Sequence, residues 1–514
     1  MTEAIAGGPV AWGTGRGRWV IAATVAGSGM AFLDGTVVNV ALPRIGTDLN
    51  ADLAGLQWVL NGYMLTLASL ILLSGSLGDR YGRRRVFLIG VVWFALASAL
   101  CAAAPTVGVL IIARALQGVG AALLTPGSLA LLESEFRAGD RARAIGTWSG
   151  LTGVANAVGP FIGGWLVDVG SWRYIFLLNL PLAAFVVAVT VKHVPESRDT
   201  AAGGRLDYAG AALTVAGLGG TTYALTEAGS RGFGAPTVWA PLAVGVLGLA
   251  GFVLRVRGAR APLIPPVLFR VRQFVAANMV TAAVYAGLGS VFFLLVVYLQ
   301  TALGYSALAA GVASLPITIL MLTLSGTSGH LAERIGPRLQ MSAGPLVMAA
   351  GMLLLLRAGP GSGYVTAVLP AVLVLGLGLA STVAPLTATA LGAADERHAG
   401  IASGVNNAVA RAAQLTAVAV VPLAAGLSGD AYRDPAAFTG GFRTAMVITA
   451  CVVAAGGLLA LAMIRNPHRP AAPPGPETTR EPEPPRPTRY HCGLDGTPLH
   501  GCPRAVTSAG ERSG

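Results

Sequence analysis

The chain has 514 residues, of which 54% are hydrophobic and only 11% charged. A water-soluble domain carries roughly 25% charged residues, so a string of soluble domains is excluded although the length would allow several. The net charge of +12 could suggest a nucleic-acid partner, but the basic residues are dealt out by position along the chain rather than gathered into one patch.

Apolar stretches recur fourteen times, near 19–42, 56–77, 86–105, 107–132, 143–168, 173–193, 208–227, 236–256, 273–300, 307–331, 340–357, 364–391, 400–426 and 440–464. Each is close to the ~20 residues that a helix needs to cross a hydrocarbon core of ~30 Å. Helices are expected because lipid offers the backbone no hydrogen-bond partners. The predicted fold class is an all-α integral membrane protein. The first stretch is too long for a cleavable signal and runs on into polar residues, so it is expected to stay as an anchor.

Span one carries Asp34, then Asn39. A carboxylate inside a span is costly and reads as functional. Span two opens with Gln57, Trp58, Asn61 and Tyr63 and ends in the loop Gly75-Ser-Leu-Gly78-Asp79-Arg80-Tyr-Gly82-Arg83-Arg84-Arg85. Gly82 permits a tight turn, and the charges could either set topology or gate one face by pairing and releasing. Span four carries Arg114 and Gln117. At 1.5 Å per residue, Asp34 lies ~20 Å from the face where span one begins and Arg114 ~10 Å from the other, so the two share a depth. They could form a static ion pair or a responsive one. Span five holds Gly153, Asn156, Gly159, Pro160, Gly163 and Gly164: the proline should kink the helix and the glycines let backbones touch.

Asp207 opens span seven as a helix cap. Spans nine and thirteen carry Tyr285, Asn406 and Arg411, the last near mid-depth without an obvious acidic partner in its own half. The loop after span ten, Gly329-His-Leu-Ala-Glu333-Arg334-Ile-Gly336-Pro-Arg338, repeats the pattern of the loop after span two. Two equivalent halves with two extra helices between them follow, a 6+2+6 plan. Its divisions are 1–200, 201–260 and 261–466. Repeated halves around a midplane site are the plan of secondary transporters.

Residues 467–514 form a separate Pro-rich tail, with 11 prolines in 48 residues, which cannot bury enough apolar surface to order itself. Its Cys492, Cys502 and two nearby histidines do not have the spacing of a standard zinc site, and no metal is expected. Nor is a cofactor: there is no GxxxxGK[ST] phosphate loop and no histidine or nucleophile cluster within a span, which argues against an enzyme or an ATP-driven pump.

With the N-terminus inside, the inner loops hold 20 basic residues before seven more from Arg465 onward, and the outer loops hold six. This is the positive-inside asymmetry. It predicts both termini in the cytoplasm of a multi-pass protein of the cell's inner membrane, and it leaves no role for nucleic acid.

The loop 75–85 resembles the motif of the major facilitator superfamily. Together with Leu33-Asp34-Gly-Thr-Val-Val-Asn39-Val-Ala-Leu-Pro43, Leu56-Gln57-Trp58 and Trp172-Arg173-Tyr-Ile-Phe-Leu-Leu-Asn179-Leu-Pro181, the chain is similar to the fourteen-span drug:proton antiporter branch, the QacA/EmrB type, over roughly residues 1–466. The resemblance implies the superfamily's fold. It implies a proton-coupling role for Asp34 and Arg114, a cytoplasmic gate at Gly75, Asp79, Arg80, Gly82, Arg83 and Arg84, and an antiporter motif in the span-five glycines and Pro160. It implies a proton-driven exporter of small lipophilic compounds, cations among them, acting in the lipid bilayer as a monomer. Asn39, Trp58, Tyr63, Gln117, Asn156, Tyr285, Asn406 and Arg411 are the candidates to line its cavity. The alternative is a proton-linked transporter of one polar metabolite, against which the sparse polar residues within the spans argue.

Overall fold

A computed structural model describes residues 10–198, 207–258, 264–394, 399–429 and 431–466. The chain divides into two units, 1–466 and 467–514. The second lies outside the described residues, and with it the Pro-rich tail and its cysteines and histidines.

The first unit is built from helices. We number them α1 (Gly15–Asp48), α2 (Leu53–Tyr81), α3 (Arg83–Ala103), α4 (Val107–Glu135), α5 (Ala138–Val169), α6 (Tyr174–His193), α7 (Tyr208–Arg231), α8 (Pro236–Gly258), α9 (Arg272–Thr301), α10 (Ala307–Ile335), α11 (Pro337–Arg357), α12 (Tyr364–Gly392), α13 (Ala399–Ala424) and α14 (Pro435–Met463). Among the described residues, thirteen of these are long and apolar enough to cross a membrane. The exception is α7. It has 24 residues, but its glycines, threonines and Glu227 leave it less apolar than the rest, so the expectation of fourteen equivalent spans holds for helix number and not for hydropathy.

Three spans are not single α-helices. α6 pauses between Leu177 and Asn179. α10 breaks at Ser314 just before Leu315-Pro316, where the proline has no N–H to continue the ladder. α12 opens with a π turn over Tyr364–Val368. N-caps follow the sequence: Thr14, Asp52, Thr106, Asp207 and Asp434 each accept a backbone N–H of the following turn, satisfying donors that an uncapped helix leaves free.

The repeated loop motif has a repeated structure. Gly82 and Gly336 both turn the chain between two helices at positive φ, +108° and +86°, a conformation that other residues rarely adopt. In each case a polar side chain from just beyond the end of the fourth following helix covers the turn. Glu196, after α6, accepts from the backbone N–H groups of Arg84 (3.1 Å) and Arg85 (3.2 Å). Asn466, after α14, accepts from that of Arg338 (3.1 Å). The α3 and α11 N-termini are therefore closed in the same way, by a chain segment over a hundred residues away.

Small residues set the close helix contacts. α7 and α8 pack on each other through Gly217 against Gly248 and Gly220 against Gly245. This pair meets α2 through Gly219 against Leu65 and α13 through Gly229 against Leu423. At the end opposite the arginine-rich loops, hydrogen bonds join the first six helices to the last six: Gln57 to the Val418 carbonyl (2.6 Å), Gln300 to that of Val40 (2.9 Å), Tyr432 to that of Ala51 (2.8 Å), and the N–H of Leu53 to Gly429 (3.0 Å).

Candidate functional site

Asp34, at mid-length in α1, is 2% exposed, and Arg114 and Gln117 of α4 are fully buried. The depth argument is borne out, because the two charges meet: Arg114 Nη1 donates to Asp34 Oδ2. The same nitrogen donates to Gln117 Oε1 at 2.5 Å, and Gln117 Nε2 donates to Asp34 Oδ1 at 2.8 Å. The three side chains form a closed triangle. The spacing of three residues between Arg114 and Gln117 puts both on one face of α4.

Three further helices complete the surroundings. Ser98 of α3 accepts from Gln117 Nε2 (2.7 Å) and from Asn179 Nδ2 of α6 (3.2 Å), and Asn179 also reaches Asp34 Oδ1 at 3.4 Å. From α2, the Val59 carbonyl accepts from Arg114 Nε (3.0 Å), and the Tyr63 ring lies 4.4 Å from the guanidinium carbon. The Tyr63 hydroxyl itself donates to the Ala31 carbonyl of α1 at 3.2 Å. Both oxygens of Asp34 and three faces of Arg114 are thus satisfied inside the bundle of α1, α2, α3, α4 and α6.

Such a pair is held by its own completeness. Removing one member of a buried ion pair costs about 3–5 kcal/mol, because the other charge is left uncompensated. Protonating Asp34 has the same electrical consequence as deleting it. The proton cancels the carboxylate charge and leaves Arg114 a bare cation in an apolar interior, which only movement or water entry relieves.

The other candidates divide. Arg411 of α13 is partly buried and stands 6.0 Å from the Phe32 ring of α1, two residues before Asp34. No carboxylate pairs with it among the described residues. Tyr285 is partly buried in the main core. Asn406 is buried and donates to Thr281 (2.8 Å) and Asn278 (3.3 Å) of α9, forming a second polar cluster confined to the last six helices. Asn39 turns back to its own helix, donating to the Gly35 carbonyl at 3.0 Å. Trp58 packs on Tyr223 of α7 with ring centroids 5.8 Å apart, and Asn156 is exposed on α5. These three stand apart from the charge network.

In the loop after α2, Asp79 pairs with Arg83 one turn on, at 2.8 Å. Arg84 Nη2 donates to the Val191 carbonyl of α6 (3.0 Å), and the Arg80 guanidinium lies 5.7 Å from the Tyr81 ring. A Cβ on Gly75 would meet open space. The α5 glycines face two neighbours. Gly159 and Gly163 abut Thr36 and Val37 of α1, whereas Gly153 faces Leu322 and Gly164 abuts Ala307 and Leu308 of α10. Pro160 presents its carbonyl to Gly311 of α10. Asp168, at the end of α5, accepts the backbone N–H groups of Ala307 (3.1 Å) and Leu308 (2.9 Å) and so closes the first turn of α10.

Sequence reasoning missed Ser98 and Asn179 as members of the network, and Asp168. Asn179 carried a signal, because an amide within a span seeks a partner. Ser98 carried none, since a serine in a span can satisfy itself on its own helix.

The comparisons agree with this architecture. A family model described as the Major Facilitator Superfamily matches residues 24–418. The chain is 37% identical over 407 residues to the puromycin resistance protein pur8 of Streptomyces alboniger, covering 78% of this chain and 80% of that one. It is 35% identical over 427 residues to the tetracenomycin C resistance and export protein of Streptomyces glaucescens, covering 82% and 78%. Its fold superposes on the crystal structure of the peptide transporter POT in complex with sulfate with a TM-score of 0.63, at 15% identity over 88% of this chain and 94% of that one. With membrane-length helices, a repeated loop motif and a model match over most of the helical body, this protein belongs to the Major Facilitator Superfamily of membrane transporters.

Proposed function

We propose that this protein is a proton-driven exporter of small lipophilic molecules, antibiotics and lipophilic cations among them, from the cytoplasm. The observation that carries the reading is the buried Asp34–Arg114–Gln117 triangle. Two charges are kept in an apolar interior at a cost that packing alone does not require, in the one arrangement where a single proton changes the balance. The names of the relatives support export of antibiotics.

In this reading the first six helices and the last six are the two moving halves, with α7 and α8 between them, and both termini are cytoplasmic. Asp34 takes the incoming proton. Arg114 and Gln117 hold the Asp34 carboxyl in place through both its oxygens, and Tyr63 covers the pair. Arg411 comes from the opposite half to face Phe32 of α1, Tyr285 lines the route as a cavity residue, and Asn406 braces α13 against α9. The substrate passes between the halves. Asp79, Arg80, Arg83, Arg84 and the turn at Gly82 form the gate on the cytoplasmic face. The glycines of α5 are the sliding surface, because they keep backbone against backbone on both α1 and α10. The protein acts as a monomer.

Cells producing the chain should accumulate less of a fluorescent lipophilic cation than cells without it, and a protonophore should abolish the difference. Accumulation that stays low after the proton gradient is collapsed would contradict proton coupling.

A further inference from the structure

At the end of the bundle that carries the arginine-rich loops, a cavity of about 580 Å³ opens between the start of α1, the start of α3 and the end of α6. Three cations line it, Arg16, Arg84 and Lys192, together with His193 and Trp19. The Trp19 and His193 rings stack with centroids 5.1 Å apart and an interplanar angle of 19°.

The acids nearby are already engaged. Glu196 lines the cavity, but its oxygens accept from the N–H groups of Arg84 and Arg85 at the α3 N-terminus. Glu135 is paired with Arg16 at 3.2 Å. Lys192 is exposed and makes no ion pair among the described residues. Arg84 spends one donor on the Val191 carbonyl and makes no ion pair among the described residues. A positive pocket with unspent donors therefore sits where the helices leave the apolar layer.

Below the pocket, both flanking helices present apolar faces outward. On α3 the exposed residues Ile89, Trp93, Leu96 and Leu100 recur at helical spacing as one stripe. On α6 the exposed Phe185 lies two turns before Lys192 on the same face. Long cationic side chains above an apolar stripe, with a tryptophan at the level between them, are the two surfaces that a phospholipid itself has: a charged head and hydrocarbon chains.

We propose that this pocket binds the headgroup of an anionic phospholipid, with its acyl chains running down the α3 and α6 faces. Lys192, Arg84 and Arg16 face the phosphate, and Trp19 marks the glycerol level. The lipid belongs to the leaflet on the side of the arginine-rich loops, where anionic headgroups and basic clusters attract each other. The site shares Arg84 with the gate proposed above, but its test reads lipid retention at Lys192, which has no part in that gate, so either proposal can fail without the other.

The test uses the purified full-length chain in a neutral detergent. Phosphatidylglycerol, phosphatidylcholine and inorganic phosphate are added separately, thermal unfolding is followed, and retained lipid is counted by native mass spectrometry. The same is done for Lys192→Glu, a change at an exposed position that should leave folding intact, and for Lys192→Arg. Phosphatidylglycerol should raise the unfolding temperature and be retained, and phosphatidylcholine and inorganic phosphate should do neither. Lys192→Glu should lower retention several-fold, and Lys192→Arg should keep it. Equal stabilisation by phosphatidylcholine would show general solvation of the apolar faces. An equal effect of inorganic phosphate would show a site for free anions. Unchanged retention by Lys192→Glu would place the lipid elsewhere. Each of these three results overturns the proposal.

Discussion

Asp34 and its partners set what single substitutions should do. Asn in place of Asp34 keeps the shape and an acceptor for Gln117 but removes the titrating charge. Asp34→Asn should still fold and reach the membrane, at a stability cost like that of losing Arg114 because the buried guanidinium is left without its counter-charge, and at matched protein level should lose proton-coupled export; export by that variant at the parental rate would remove Asp34 from the mechanism. Arg114→Ala should cost stability as well as transport, by about 3 kcal/mol or more, since it strands a buried carboxylate. Combining Asp34→Asn with Arg114→Gln should recover much of that stability, read as the unfolding temperature in detergent, without restoring transport. This cycle separates the pair as a structural device from the pair as a proton switch. Asp34 and Arg114 were legible in the sequence because charge in an apolar run is rare and helical rise gives its depth. Asn39, Trp58 and Asn156 were expected to line the cavity, and they stand apart from the charge network. Which way a polar or aromatic side chain turns is decided by neighbours from other helices, and Asn39 satisfied itself within one turn of α1.

Among the elements, α5 shows how a sequence motif becomes a surface. Its glycines were legible as contact points, but not that they divide between α1 and α10. A Cβ on Gly164 would stand 2.5 Å from the Leu308 Cα, and backbone cannot move aside as a flexible side chain can. Gly164→Val should therefore sharply reduce transport while the chain still reaches the membrane, measured as drug accumulation against protein level; unimpaired transport would show that α5 and α10 need not touch. The repeated turns at Gly82 and Gly336 were visible as a pattern of glycine and acid. Their covering residues, Glu196 and Asn466, were not, because no local signal links a loop to a segment over a hundred residues away. Helix breaks at Leu177–Asn179 and Ser314 were likewise hidden within apolar runs whose hydropathy continues through them.

For the molecule as a whole, the hydropathy pattern and the distribution of arginine carried most of the fold. Among the described residues, fourteen helices stand where fourteen apolar runs were expected, with ends differing by a few residues. The pairing of α7 with α8 and their contacts with α2 and α13 needed three dimensions, since small-residue faces can pack in several ways. The charge asymmetry predicts that a fluorescent protein fused after Asn466 will fluoresce and that alkaline phosphatase fused there will be inactive; active phosphatase would invert the topology. Such a fusion also removes residues 467–514, and export should survive their loss.

The central claim is that a proton on Asp34 drives drug outward. The most direct measurement uses purified protein in liposomes with an imposed pH gradient, following lumenal pH while lipophilic cations, neutral antibiotics and simple sugars are added in turn. The account predicts proton movement on addition of a lipophilic drug and none with sugar, and its loss in Asp34→Asn. Proton movement triggered only by sugar, or undiminished drug-triggered movement in Asp34→Asn, would contradict it.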